Sequence, residues 1–227
     1  MVNTVAVIRR AILIVASSLV PSVMTAQHPQ WSLEVFGGSA LSLPTPLRID
    51  QDGEASIRVT ARYATRPWRD APYYAYRVGR HSGSRGWELE LVHHKLYLRD
   101  RPAEVQHFEV THGYNLVLLN RVAHRGRWTG RIGFGPVLGH PENEVRGRRL
   151  AADRGGLGGG YYLSGAAGQV AGSHRLALGG GFSLVGEAKV TGAYARVPIA
   201  GGDATVPNVA AHWLVGVGYS RNFEHGR

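Results

Sequence analysis

The 227-residue chain contains no cysteine. That excludes a disulfide framework and any thiolate metal site. Acidic residues are sparse beside basic ones, 16 against 26, which leaves a formal charge of +10 at pH 7 with histidine neutral. Long hydrophobic runs are also missing. The one apolar stretch of note, Ala11–Val20, falls short of the ~20 residues a transmembrane helix needs. After residue 30 there are few helix signals; Tyr, Val, Leu and Gly alternate instead with small or polar residues.

The N-terminus has the three parts of a secretory signal. Arg9 and Arg10 form a basic n-region, Ala11–Val20 the apolar segment, and Ala26 a small residue before the cut. Residues 1–26 are therefore expected to be a cleaved signal peptide and 27–227 a single exported domain. Met24 stands where alanine is usual, so a retained N-terminal anchor is the alternative. Export and the lack of base-stacking or groove-entry motifs argue against nucleic acid as a partner. The basic surplus fits anionic lipid or lipopolysaccharide phosphates, and fits equally arginines that line turns and a lumen.

Strands of a lipid-facing barrel run apolar outward and small or polar inward for ~9–11 residues. Trp31, Leu33 and Val35 alternate with Ser32, Glu34 and Phe36. Trp87, Leu89 and Leu91 alternate with Glu88 and Glu90, and Trp213, Val215, Val217 and Tyr219 with His212, Leu214, Gly216 and Gly218. Arg or Lys facing lipid near the midplane costs ~2–4 kcal/mol. Glu34, Arg58, Arg62, Glu88, Glu90, Glu187 and Lys189 all share parity with the small residues, so they are expected inside, paired with one another. A soluble lipocalin-like barrel would reverse this parity.

The fold expected is all-β, an eight-stranded antiparallel transmembrane β-barrel of the outer membrane of a Gram-negative-type cell. Its strands are placed at 31–42, 56–80, 87–98, 113–123, 128–138, 158–171, 176–196 and 209–223. The second is overlong and broken by Pro67 and Pro72, so it reads as one strand standing beyond the membrane or as two. Short turns are placed at His81–Gly86, His124–Arg127 and Gly172–Arg175, and longer loops near 42–55, 99–112, 139–157 and 197–208. The GLGGG run lacks the strand-before, helix-after context of a nucleotide loop. Eight strands leave an interior that side chains fill, which argues against a diffusion channel.

Six of the 11 histidines, His93, His94, His107, His112, His140 and His212, fall at the outer ends of these strands. His81, His124, His174 and His225 fall at the opposite ends, where a solvated turn accounts for them, and His28 follows the cleavage point. Histidine suits metal binding and proton transfer near neutral pH, and with Glu109 and Glu142 the outer group resembles a ligand set in composition. In a regular strand His107 and Glu109 share a face and His112 takes the other, unless Gly113 marks a bulge. The residues alone fit either a metal or acid–base centre or an ordinary polar rim. Nucleophilic catalysis is less favoured, because the serines next to histidines, Ser82 and Ser173, lie in expected turns at the other end.

Three segments, WELELVHHKLYL, FEVTHGYNL and GFGPVLGHPE, resemble the lipid A oxidase family of small outer-membrane barrels. The matching positions are His93, Lys95, Tyr97, Phe108, Glu109, Asn115, His140 and Glu142. The chain departs from that pattern at His112, where an aspartate is expected, and at Pro141, which separates His140 from Glu142. The resemblance implies oxidation of the proximal glucosamine of lipid A to 2-aminogluconate, with a divalent metal ion as cofactor and molecular oxygen as co-substrate. It implies Glu109, His112 and Lys95 as catalytic groups and His93, Glu109, His140 and Glu142 as metal ligands. Asn115, Arg99 and Arg101 would bind substrate, the arginines together with Lys95 holding a phosphate. Expected partners are outer-membrane lipids, lipopolysaccharide and the barrel-assembly machinery, for a chain acting as a monomer. A non-catalytic barrel that binds or stabilises lipopolysaccharide, or contacts a partner, is the alternative.

Overall fold

The computed structural model describes residues 30–151 and 157–222. Residues 1–26, expected to be a signal peptide, together with His28, Phe223 and His225, lie outside the described residues. The strands are β1 (Gln30–Ser42), β2 (Thr45–Gln51), β3 (Ile57–Ala61), β4 (Tyr63–Ala64), β5 (Tyr74–Ser82) and β6 (Arg85–Leu98), followed by β7 (Val105–Arg125), β8 (Trp128–Val145), β9 (Arg148–Arg149), β10 (Tyr162–Gly179), β11 (Phe182–Ile199) and β12 (Gly202–Asn222). Eight of them pair antiparallel in the order β1-β5-β6-β7-β8-β10-β11-β12, and β12 pairs back onto β1. One circuit of partners runs from Leu33 through Val78, Leu89, Leu119, Phe134, Gly168, Gly192 and Val209. It returns to the first strand's end at Leu43, whose N–H donates to the Val209 carbonyl at 2.8 Å. A stagger of ten residues over eight strands corresponds to a strand tilt of roughly 40°.

The alternation read from the sequence sets the two faces of this ring. Trp31, Leu33, Val35, Trp87, Leu89, Ile132, Phe134, Val190, Trp213, Val215 and Val217 are exposed on its outside. Trp31, Trp128, Phe182 and Tyr219 gather at the edge beside the short turns. Inside, in the half nearer those turns, lies an ionic lattice with no solvent exposure at its centre. Arg77 donates from Nη1 to Glu34 at 2.7 Å and from Nη2 to Glu90 at 2.8 Å and Glu187 at 2.7 Å, and its Nε lies 3.4 Å from Glu88. Arg131 donates from Nε to Glu88 at 2.6 Å, and Lys189 pairs with Glu187 at 2.9 Å and with Glu90. Inward parity thus holds for Glu34, Glu88, Glu90, Glu187 and Lys189.

It does not hold for Arg58 and Arg62, which are exposed. The reason is that 56–80 is not one ring strand. β3 pairs with β2 in a hairpin that docks on β12, β4 pairs with β6, and only β5 belongs to the ring. Two further expectations are corrected. The sites read as long loops near 42–55, 99–112, 139–157 and 197–208 contain strand over 45–51, 105–112, 139–145, 148–149, 197–199 and 202–208, because β2 forms there and β7, β8, β11 and β12 continue well past the belt. Their inward residues there are apolar, with Leu47, Ile49, Val105, Phe108, Val110, Tyr114, Val145, Val197 and Val206 forming an ordinary hydrophobic core. Gly172–Arg175 lies within β10, and the chain turns instead at Gly179–Gly181, where φ values of 97, 60 and 85° favour glycine.

Close strand approach creates a testable constraint. A Cβ on Gly135 would sit 1.9 Å from the Val117 carbonyl oxygen, whereas one on Gly172 would meet nothing within 4 Å. Gly135→Ala is expected to destabilise the ring by about 1–3 kcal/mol and Gly172→Ala to be near neutral. Urea unfolding in micelles measures both, and equal midpoints for the two variants would contradict the close approach.

Candidate metal centre on the outer wall

Above the apolar belt, β6, β7 and β8 turn polar side chains outward. Tyr97, Glu109 and Glu142 form one hydrogen-bonded row across the three strands, and His93, Asn115 and Leu138 a lower one. A local irregularity in β7 decides what joins them. Val110 pairs with Pro141 and Tyr114 with Gly139, so three residues of β7 intervene where β8 has one. Gly113 adopts φ 130°, a conformation other residues rarely take, and its missing Cβ leaves room for the Asn115 side chain. The bulge keeps Val110 and Tyr114 buried in the core while His112 projects to the outer face.

His112 Nδ1 lies 2.6 Å from Glu142 Oε1, and the His112 and His140 rings are 4.8 Å apart. His107 Nε2 lies 3.3 Å from Glu109 Oε1. Two sets of ligand atoms, His112/His140/Glu142 and His107/Glu109/Glu142, each lie within 4.8 Å of one another, and Glu142 belongs to both. Around a tetrahedral ion with bonds of ~2.1 Å, donors stand ~3.4 Å apart, so side chains would close by roughly 1 Å.

His140 fits a ligand's role in its own environment. Its Nδ1 is buried without a hydrogen-bond partner among the described residues. Its ring stacks on Tyr161 at 4.9 Å, and the Tyr161 hydroxyl donates to the His112 carbonyl at 3.0 Å. Burial lowers the proton affinity of His140, the nearby His112 lowers it further, and Glu142 opposes them. The imidazole is thereby held neutral, the form that binds a metal.

The remaining expected site residues divide. His93 and Asn115 sit together one row lower, with His93 Nδ1 2.8 Å from Asn115 Oδ1 and its ring stacked on Tyr74 at 4.7 Å. Lys95 is fully buried and donates to the carbonyls of Ala71 at 2.7 Å, Arg66 at 3.3 Å and Arg69. It therefore organises the 65–73 segment that fills the wall between β1 and β6 above Tyr74. Beyond that segment is a cavity of about 220 Å³ lined by Arg66, Arg69, Tyr97, Arg101, His107 and Glu109. The Arg66 guanidinium lies 4.8 Å over the Tyr97 ring, and the Tyr97 hydroxyl donates to Asp70 at 2.9 Å. Arg99 is exposed and does not line this cavity. His94 and His212 face inward. His94 Nε2 lies 3.1 Å from Asn208 Oδ1, while His212 is held by Tyr73 and, at 2.8 Å, by Thr191.

Arg66 and Arg69 are the site residues sequence reasoning missed. They belong to a proline-containing segment, RPWRD, that carries turn chemistry but no sign of its docking on β6 through Lys95. His107 was visible as a rim histidine, yet only the register with β8 joins it to Glu142.

The class that fold and site define is an all-β antiparallel ring of eight strands with an apolar exterior and a His/Glu cluster outside one end. Among solved structures the chain is similar to the outer membrane protein AlkL, studied in DMPC bilayers, at 12% identity and a TM-score of 0.49, covering 89% of this chain and 94% of that one. It is similar to OprG of Pseudomonas aeruginosa at 12% identity and a TM-score of 0.39, covering 87% and 98%. It is also similar to Ail, the attachment invasion locus protein of Yersinia pestis, at 10% identity and a TM-score of 0.39, covering 86% and 99%. No protein-family model and no curated protein sequence matches the chain.

Proposed function

We propose that the chain is an outer-membrane β-barrel carrying a divalent-metal centre on its outer wall that modifies the phosphorylated headgroup of an outer-leaflet glycolipid, with lipid A as the substrate class. Membrane insertion is supported by the exposed Trp, Leu, Val and Phe side chains around the ring, since a belt of that extent in water would aggregate. The observation that carries the functional reading is the outward-facing cluster of His112, His140 and Glu142 with His107 and Glu109, at the upper edge of that belt. A lipid diffusing in the outer leaflet reaches this site without leaving the membrane.

Glu142 would bridge the two halves of the ligand set, with His112 and His140 on one side and His107 and Glu109 on the other. A bound divalent ion would supply Lewis acidity and, for a redox-active metal, a route for electrons to dioxygen. The resemblance to lipid A oxidases directs this toward oxidation at the proximal glucosamine. Glu109 stands at the wall of the arginine-lined cavity, suited to take a proton from a sugar hydroxyl held there. Arg66, Arg69 and Arg101 give that cavity three guanidinium groups suited to a phosphate.

Mass spectrometry of lipid A from expressing cells tests the reading. Where C1 of the proximal glucosamine carries a free hydroxyl, two-electron oxidation by dioxygen, which leaves as hydrogen peroxide, and addition of water give 2-aminogluconate with a net gain of one oxygen atom; in cells whose lipid A lacks the anomeric phosphate, wild type should produce that gain and Glu109→Ala should lose it. Unchanged lipid A from cells with folded wild-type protein would end the oxidase reading. The non-catalytic alternative shares the arginines but predicts no mass change. Under either reading, replacing Arg66 and Arg101 together by alanine should weaken retention of phosphorylated lipid A by about tenfold or more, and leave dephosphorylated lipid A unaffected. Equal loss for both lipids would remove phosphate recognition from the cavity.

A further inference from the structure

The opposite end of the ring holds a second histidine constellation. A cavity of about 340 Å³ opens there between the short turns, lined among others by Ser32, His81, His124, Arg127, Thr129 and Arg175. His81 comes from β5 and His124 from β7, two strands that are not neighbours in the ring. Their rings meet inside the lumen at 4.9 Å between centroids and 69° between planes, with His81 Nδ1 3.0 Å from His124 Nε2. Neither is a solvated turn residue, as their positions in the sequence suggested.

The surroundings are built for this pair. A Cβ on Gly79 would lie 2.4 Å from His81 Nε2, and one on Gly86 2.4 Å from His81 Nδ1, so the ring fits because its own strand and the adjacent β6 carry glycine there. Each far nitrogen has a hydroxyl partner. His81 Nε2 lies 2.8 Å from Ser32 Oγ, and His124 Nδ1 lies 2.9 Å from Thr129 Oγ1. When both far nitrogens donate to these hydroxyls, two bare lone pairs face each other across 3.0 Å. One ring can donate to the other at this distance, and a metal ion bound to both nitrogens would take the place of that shared proton.

Two observations favour a metal ion in that position. Donating the outer N–H to a neighbouring acceptor is how ligating histidines are oriented. Two imidazole nitrogens on one tetrahedral ion stand ~3.3–3.4 Å apart, so each ring need retreat only by a few tenths of an ångström. Of the neighbouring cations, Arg175 is paired with Glu34 and Arg131 with Glu88, and Glu88 also lies 3.9 Å from His81 Nε2, while Arg127 lines the same cavity. The open cavity leaves room for water at the remaining positions.

We propose that His81 and His124 form a two-imidazole site for a divalent transition-metal ion at the short-turn mouth of the ring, independent of the cluster on the outer wall. Imidazole donors without carboxylate select zinc, copper or nickel over magnesium or calcium. The hydroxyls of Ser32 and Thr129 position the rings and do not themselves bind the metal.

The test uses the full folded chain in detergent micelles with the outer cluster disabled by His112→Ala, His140→Ala and Glu142→Gln. Zinc titration by calorimetry should still find one ion per chain, and cobalt should give the visible absorption of a tetrahedral nitrogen–oxygen site. Adding either His81→Gln or His124→Gln should weaken binding at least tenfold and abolish that absorption. Ser32→Ala should weaken it less while keeping the spectrum. Absence of zinc binding in the disabled-cluster protein, or binding that survives both histidine substitutions, would overturn the proposal. Two separate variants guard against a folding defect in one, and micelle-gel mobility reports folding for each.

Discussion

Arg77→Met is expected to be the most damaging single substitution in this protein. The guanidinium has no solvent exposure and contacts Glu34, Glu88, Glu90 and Glu187. Those four carboxylates are balanced by four cations, Arg77, Arg131, Arg175 and Lys189. Deleting one cation leaves a net negative charge in a region water does not reach. Removing one partner of a buried pair costs about 3–5 kcal/mol, a large share of the 5–15 kcal/mol by which domains are stable. The urea midpoint of refolded protein in micelles should fall steeply, or folding should fail. Pairing Arg77→Met with Glu187→Gln restores charge balance and should recover part of the loss. An unchanged midpoint in the single variant would mean that the lattice contributes nothing to holding the ring.

Glu142→Gln is expected to have the largest effect on metal binding. Its carboxylate belongs to both candidate ligand sets and lies 2.6 Å from His112 Nδ1. The amide keeps the size and the hydrogen-bonding capacity of the side chain but lacks the charge that favours a divalent ion. Affinity of the outer wall for zinc or manganese should drop by about a hundredfold, roughly 2.7 kcal/mol. Folding should be unaffected, because Glu142 faces outward and a third of its side chain is exposed. His93→Ala is the control, since His93 occupies the lower row with Asn115, and it should change the affinity by only a few fold. To separate this site from the inner histidine pair, both proteins carry His124→Gln. If Glu142→Gln and its parent then bind metal equally, the outer cluster is a polar rim.

The eight-strand architecture was readable because its signal is local. Side chains of a strand alternate faces with period two, so Leu33 and Glu34, or Leu89 and Glu90, declare their sides wherever the strand sits. The same rule misled at Arg58, where alternation is genuine but the strand belongs to a hairpin outside the ring, and at Arg62, which lies between β3 and β4. It also ended several strands too early. β8 continues through Glu142 to Val145, and β7 begins at Val105, where polar residues resembled loop. Of the candidate centre, Glu109, His112, His140 and Glu142 were individually visible. Their union depends on the β7 bulge at Gly113, which moves His112 across faces.

By itself, then, the sequence determined the strand content, the inward charges, the outward apolar belt and the rise of histidine toward one end. Each follows from residue chemistry and short-range periodicity. Only the tertiary structure decided that Lys95 is enclosed by backbone carbonyls, that Arg66 and Arg69 join Arg101, and that His94 and His212 turn inward. Only it brought His81 of β5 against His124 of β7. These contacts are set by the stagger with which the ring closes and by irregular residues that shift one strand against the next. Both are properties of pairs of distant segments, and no local pattern in either segment specifies them.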